Sequence, residues 1–231
     1  MNNYGLLLEY YRKCFSLVKT FHFNSNVSKE QFQKELKIAD ANQIVLPITH
    51  DGIQDHREKK IFDSDVLKLG FIGHETPYKG FPVLKEILAD IDKSKWILDV
   101  WGGRVGKDTN LPIFFKGKFN AKTIRSVFHE LDLLVVPSVW KETFSLVTLE
   151  AISYGVPVLV SNNVGAQDLV GEYDDFFIYN TKDDLRKKIN SLILDRTPLC
   201  HFNDAIIAKS WENSILEHAK DVVEKIYKSS F

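Results

Sequence analysis

The chain has 231 residues, 44% of them hydrophobic, and 30 Lys and Arg against 31 Asp and Glu leave a formal net charge of −1. At roughly 100–200 residues per domain this is one full domain with part of another, and the balanced charge, with no Lys or Arg cluster interleaved with aromatics, excludes a nucleic-acid footprint. No signal peptide opens the sequence, no apolar run approaches the roughly 18 residues needed to cross a bilayer, and Cys14 and Cys200 have neither ligand spacing nor a reason to pair, which points to a reducing, cytoplasmic setting.

In chain order, residues 4–18 place Leu7, Tyr11, Cys14 and Val18 at helical spacing. A short strand follows at 20–23, then a turn with Asn24 and Ser25, a helix capped by Ser28 with Gln31 three residues on, and a strand at 44–47. His50, Asp51 and His56 sit in a polar turn without regular ligand spacing. Residues 57–60 read as a solvated turn, and Asp63 and Asp65 as caps. The chain divides near 60–65, giving a first segment 1–62.

From residue 66 strands alternate with helices. A strand at 67–72 leads to a helix at 79–91 with Phe81, Leu84, Leu88 and Ile91 in one stripe. A strand at 96–101, a glycine loop at 102–106, a strand at 113–115 and a helix at 121–129 come next. The apolar run 131–136 is a strand closed by Pro137 and Ser138, and the helix 145–154 stops at Gly155. A strand at 156–161, a short helix near Gln167, a strand at 176–179 and a helix at 182–194 complete an α/β domain over 63–209, with a doubly wound parallel sheet. Residues 210–231 close the chain with a helix at 211–227 whose Trp211, Ile215, Ala219, Val222 and Ile226 share a face.

Two loops concentrate the chemistry. The backbone N–H groups of Ser145, Leu146 and Val147 open a helix, where the dipole and unsatisfied donors suit a phosphate. The loop before them follows a strand, and ligands of open α/β sheets bind at the carboxyl ends of strands. Singly, Glu150 on a helix and Lys79 in a first turn are ordinary surface charges; their joint placement on adjacent loops points to a site.

Glu142-x7-Glu150, followed by Ala151, Gly155, Pro157 and Gly165-x-x-Asp168, resembles the nucleotide-sugar motif of retaining GT-B glycosyltransferases of family 4. Leu69-Gly-Phe-Ile-Gly73 followed by Lys79-Gly80 is a second match, and the resemblance runs from about Phe23 to the C-terminus. It implies a Rossmann-like donor-binding domain, preceded by a partial N-terminal α/β segment and followed by a helix that crosses back to that segment. Gly73, His74 and Lys79 then hold the donor diphosphate, His74 standing where the family carries Arg. By the same resemblance Glu150 accepts bonds from the ribose hydroxyls and Glu142 contacts the sugar, with Glu142 and Lys79 as the catalytic residues.

The reaction so implied is retaining, metal-independent transfer from a nucleoside diphosphate sugar to a glycan or glycoconjugate acceptor in polysaccharide assembly. No cofactor beyond the donor is needed. Lys79, His74 and the helix start would offset the charge that develops on the leaving diphosphate. Two alternatives share the donor pocket: a GT-B sugar epimerase, and a non-catalytic donor-binding module whose acceptor half comes from a homodimer mate or a partner chain. A glycosidase pair is disfavoured, because Glu142 and Glu150 lie along one segment instead of facing each other across a bond.

Overall fold

The computed structural model describes residues 3–36, 38 and 41–228. Helix α1 (Asn3–Phe15) leads into β1 (Thr20–Phe23), α2 (Asn26–Leu36) and β2 (Asn42–Val45), and the two strands pair in parallel. Phe21, Phe23 and Ile38 form a small separate core beneath them. The cap of α2 lies three residues earlier than the Ser28–Gln31 spacing suggested. Ser28 N–H donates to Ser25 Oγ and Ser25 N–H to Ser28 Oγ, a reciprocal pair that satisfies two helix-end donors at once.

The main sheet comprises β3 (Leu67–Ile72), β4 (Trp96–Trp101), β5 (Val105–Lys107), β6 (Ile113–Gly117), β7 (Leu133–Val136), β8 (Val158–Ser161) and β9 (Ile178–Tyr179). Between them run α3 (Phe81–Ala89), α4 (Ile124–Glu130), α5 (Leu146–Ser153) and α6 (Gln167–Gly171); α7 (Lys182–Leu194), α8 (Thr197–Ala208) and α9 (Ile215–Asp221) follow. Strand order is β5-β6-β4-β3-β7-β8-β9, so the winding reverses between β3 and β7. Every residue of β7 and β8 is buried, the signature of parallel strands covered on both faces, which is why they read as unbroken apolar runs. The expected doubly wound α/β sheet is therefore present. The glycine loop differs from expectation: residues 105–107 fold back as an antiparallel edge strand on β6, short and fully exposed.

Between β2 and β3 the chain is irregular, yet Ile53 and Phe62 are buried in the main core. This linker is held by α8, an element without a counterpart in the sequence reading. Asn203 on α8 donates to the carbonyls of Glu58 and Gly155, and Arg57 donates to those of Ile206 and Lys209. The last helix also starts later than its apolar pattern suggested. Ser214 caps it by accepting the Glu217 N–H, while Trp211 precedes it, half-buried on the main core with Arg57 5.2 Å from its ring. Beyond Asp221 the helix continues in π-type turns to Tyr227, and Thr49 donates to the Asn213 carbonyl ahead of it. No helix among the described residues is long and apolar enough to cross a membrane.

Candidate functional site

The turn after β3 and the loop after β7 meet at the winding reversal. Gly80 has φ 76°, and a Cβ there would lie 1.7 Å from the Pro137 carbonyl oxygen, so only glycine lets the turn press against the end of β7. The Tyr78 carbonyl accepts from the N–H groups of Val139 and Trp140 at 2.9 and 3.4 Å, stitching the loops together. Lys79 Nζ consequently stands 3.0 Å from Glu142 Oε1. Ser138 donates its hydroxyl to the same oxygen. The Glu142 side chain is 10% exposed and that of Lys79 33%, so the pair is partly desolvated.

The Glu142 backbone is fixed from the other side. Its N–H donates to the Asn163 carbonyl at 2.9 Å and its carbonyl accepts from Gly165 N–H at 3.0 Å. Ser25 Oγ donates to the Thr143 carbonyl at 2.7 Å, and a Cβ on Gly165 would lie 2.3 Å from each of those oxygens. Asp168 then accepts from the backbone N–H and the side-chain amide of Asn26, at 2.8 and 3.1 Å. The Gly165-x-x-Asp168 turn thus ties the Glu142 loop to the start of α2.

Ser145, just before α5, has φ 116° and ψ 88° and is the one non-glycine residue with positive φ among those described. Such backbone costs on the order of 1–3 kcal/mol and is found where the surroundings over-determine it. Among the described residues no protein acceptor takes the N–H groups of Ser145, Leu146 or Val147, whereas the Thr148 N–H is used by the Ser145 carbonyl at 3.1 Å. A small cavity is lined by Ile72, Lys79, Ser138, Glu142, Ser145 and Val147. The structure therefore gathers Lys79, Glu142 and the helix start around one space. Gly73 begins the turn, its N–H bonded to the Trp101 carbonyl; His74 is exposed on the same loop and does not line this cavity.

Glu150 lies deeper in α5, its side chain 21% exposed with His50 Nε2 3.8 Å from Oε1. Burial pushes its carboxyl above the ordinary range, and His50 pulls the other way. On the opposite side Arg104 pairs with Glu75 at 3.2 Å and lies 3.8 Å over the Phe115 ring, joining the loops after β3 and β4 to β6. Three features escaped the sequence reading. Ser138 had looked only like a strand end. Tyr78 and Trp140, half-exposed, pair their rings at 4.9 Å with Lys79 Nζ 5.9 Å from the indole; a lone Trp in the polar loop beside Glu142 was the signal. His50 arrives from a linker about a hundred residues away in sequence and had no local signal. Among the described residues no group of three His, Cys, Asp or Glu side chains is placed to hold a metal ion.

Residues 52–208 match the family model described as Glycosyl transferases group 1. Among curated sequences the chain is 29% identical over 135 residues to the "Uncharacterized 41.2 kDa protein in cps region" of Klebsiella pneumoniae, covering 55% of this chain and 37% of that protein. It is also 29% identical over 141 residues to sulfoquinovosyl transferase SQD2 of Arabidopsis thaliana, covering 57% of this chain and 27% of that one. The chain thus spans well under half the length of either relative. Among solved structures it superposes on Alr3699/HepE of Anabaena, determined with UDP and glucose, with a TM-score of 0.74 over 98% of this chain and 68% of that one. At 18% identity that likeness concerns the fold.

Proposed function

The chain belongs to the group 1 glycosyl transferases, and from that premise we propose that residues 63–209 bind a nucleoside diphosphate sugar at the β3–β7 reversal and present it for transfer. One observation carries the reading: Lys79, Glu142, Ser145 and Val147 line one space though they come from two loops, and among the described residues no protein acceptor takes the N–H groups of Ser145, Leu146 and Val147 at the start of α5. Lys79 and those donors take the diphosphate and offset the charge that grows on it as the glycosyl bond breaks, and donors fixed in advance need no reorganisation at that moment. Glu142, with Oε1 held by Lys79 and Ser138, offers Oε2 to sugar hydroxyls. Glu150 accepts from the ribose hydroxyls.

In this proposal the reaction is retaining and metal-independent, the charges being supplied by side chains and the helix start. The UDP bound in the Anabaena structure supports a uridine diphosphate donor, and the transferase name of the Arabidopsis relative supports transfer. In the same proposal the acceptor is a glycan or glycoconjugate and the setting cytoplasmic. Calorimetry and thermal shift with UDP and UDP-glucose test the donor reading. Ligand at a hundred times its Kd should add about 2.7 kcal/mol of stability. Absence of stabilisation by UDP, ADP, GDP and their glucose conjugates would overturn it.

A further inference from the structure

We infer that His50, on the linker, is a positioning residue for the Glu150 carboxylate, so that the donor's ribose anchor is completed by a side chain from outside the sheet domain. The inference rests on the ribose role proposed for Glu150. His50 Nδ1 accepts the Gly52 N–H at 3.0 Å, which leaves the proton of the neutral ring on Nε2. Nε2 is the nitrogen that faces Glu150 Oε1 across 3.8 Å, slightly beyond hydrogen-bond length, so a small closure makes the bond.

The linker is held where this requires. The Ile53 N–H closes a turn on the His50 carbonyl at 3.0 Å, and the Ile53 side chain is buried in the main core. Three residues on, the His56 N–H donates to the Ser153 carbonyl at the end of α5 at 2.8 Å, and the His56 ring stacks on Tyr154 at 4.9 Å. The linker therefore grips α5 at its last turn and again, through His50, at the side chain one turn earlier.

Glu150 must be ionised to accept two hydroxyls, while burial favours its protonated form. A fixed N–H on one oxygen opposes that effect and sets the direction of the other oxygen. Other ionisable groups around the pair include Tyr154 just past α5, which feels the charges of Glu150 and of Arg125 on α4, His56 stacked on that Tyr154 ring, and Asp51, whose exposed carboxylate is 3.9 Å from His50 Nδ1. Asp51 lies beside the nitrogen that turns away from Glu150.

The test measures affinity of the whole chain for UDP and for 2′,3′-dideoxy-UDP, with ADP or GDP and their dideoxy analogues used if the native chain binds those more tightly. His50→Phe removes the donor at similar size and should weaken ribose nucleotide binding about three- to tenfold, leaving the dideoxy analogue unchanged. His50→Gln keeps an N–H and should restore most of the loss. In His50→Phe the affinity should also begin to fall at a higher pH on acidification than in the native chain, because Glu150 is then protonated more readily. If Glu150→Ala weakens UDP binding but His50→Phe matches the native chain, His50 has no positioning role. Equal losses in His50→Phe for both nucleotides would show a structural effect only and likewise overturn the inference. An unchanged affinity in Glu150→Ala would remove the ribose anchor itself.

Discussion

Neutralising Glu142 should tighten the grip on a bare diphosphate. Lys79 Nζ and Glu142 Oε1 are 3.0 Å apart, so the cation proposed for phosphate is shared with a carboxylate. With charge centres about 4 Å apart and an effective dielectric of about 20, the Coulomb energy is ~4 kcal/mol. The Lys79 side chain is 33% exposed, and screening together with the desolvation of both ions brings the net value to about 1–1.5 kcal/mol. Glu142→Gln keeps the shape and an acceptor for Ser138 while releasing the ammonium, so UDP affinity should rise about five- to tenfold. The gain should shrink between about 50 and 500 mM salt and vanish in the Lys79→Ala background. Transfer of sugar should nevertheless fall, since the sugar contact is lost. Isothermal calorimetry on the folded variant checks this, and UDP affinity that is unchanged or weaker would refute the sharing of Lys79.

Glu150→Ala should weaken UDP binding by roughly 1.5–3 kcal/mol with little change in folding, read by calorimetry and thermal melting. Because burial raises the Glu150 pKa, the folded state binds its proton more readily than the unfolded state does, so this group's contribution to stability increases as pH falls through the raised value. UDP affinity should move oppositely and decline on acidification; parallel trends of Tm and affinity in this group's titration range would contradict the assignment. Gly80→Ala, whose new methyl would strike the Pro137 carbonyl, should cost about 3 kcal/mol or more and lower the denaturant midpoint accordingly. Ser145→Gly should stabilise by about 1 kcal/mol if the strain at φ 116° outweighs the lost hydroxyl contact with Thr148, and a lower Tm would show the opposite.

The bounds of β1, β3, β4 and α7 agree with their sequence patterns, because buried apolar strands between turn residues and a Thr-capped amphipathic helix carry their signals locally. That Lys79, Glu142 and the helix start meet was legible for a related reason: strand–loop–helix order puts them at neighbouring carboxyl edges, whereas the roles given to them and to Glu150 came from the family resemblance. What escaped depends on distant packing. In α8 the polar Asn203 is fully buried because it holds linker carbonyls, so its pattern looks too mixed for a core helix. Trp211 looked like the first residue of a helical stripe, yet its apolarity serves the contact with Arg57 and the core. Ser25 outcompetes Ser28 as a cap because its hydroxyl also reaches Thr143, 118 residues away. His74 sits on the right loop, but its exposed side chain does not share the cavity with Lys79.

The seam from Ser25 and Asn26 to Thr143, Gly165 and Asp168 bears on how such chains are recombined. A chimera that grafts residues 63–209 onto a foreign N-terminal segment would leave the Thr143 carbonyl and the Asp168 carboxylate without the hydroxyl and N–H groups that now meet them. It would also remove one of the two neighbours that crowd position 165, while the Thr143 carbonyl remains. Since Thr143 directly follows Glu142, a mismatched graft would loosen the loop proposed to contact the sugar before disturbing the proposed diphosphate site at Lys79 and the start of α5. If the proposed sugar role of Glu142 holds, exchanges that carry over a serine just before the incoming helix and an asparagine as its first residue should keep donor discrimination, and those that omit them should yield proteins that still hold nucleotide but sort sugars poorly.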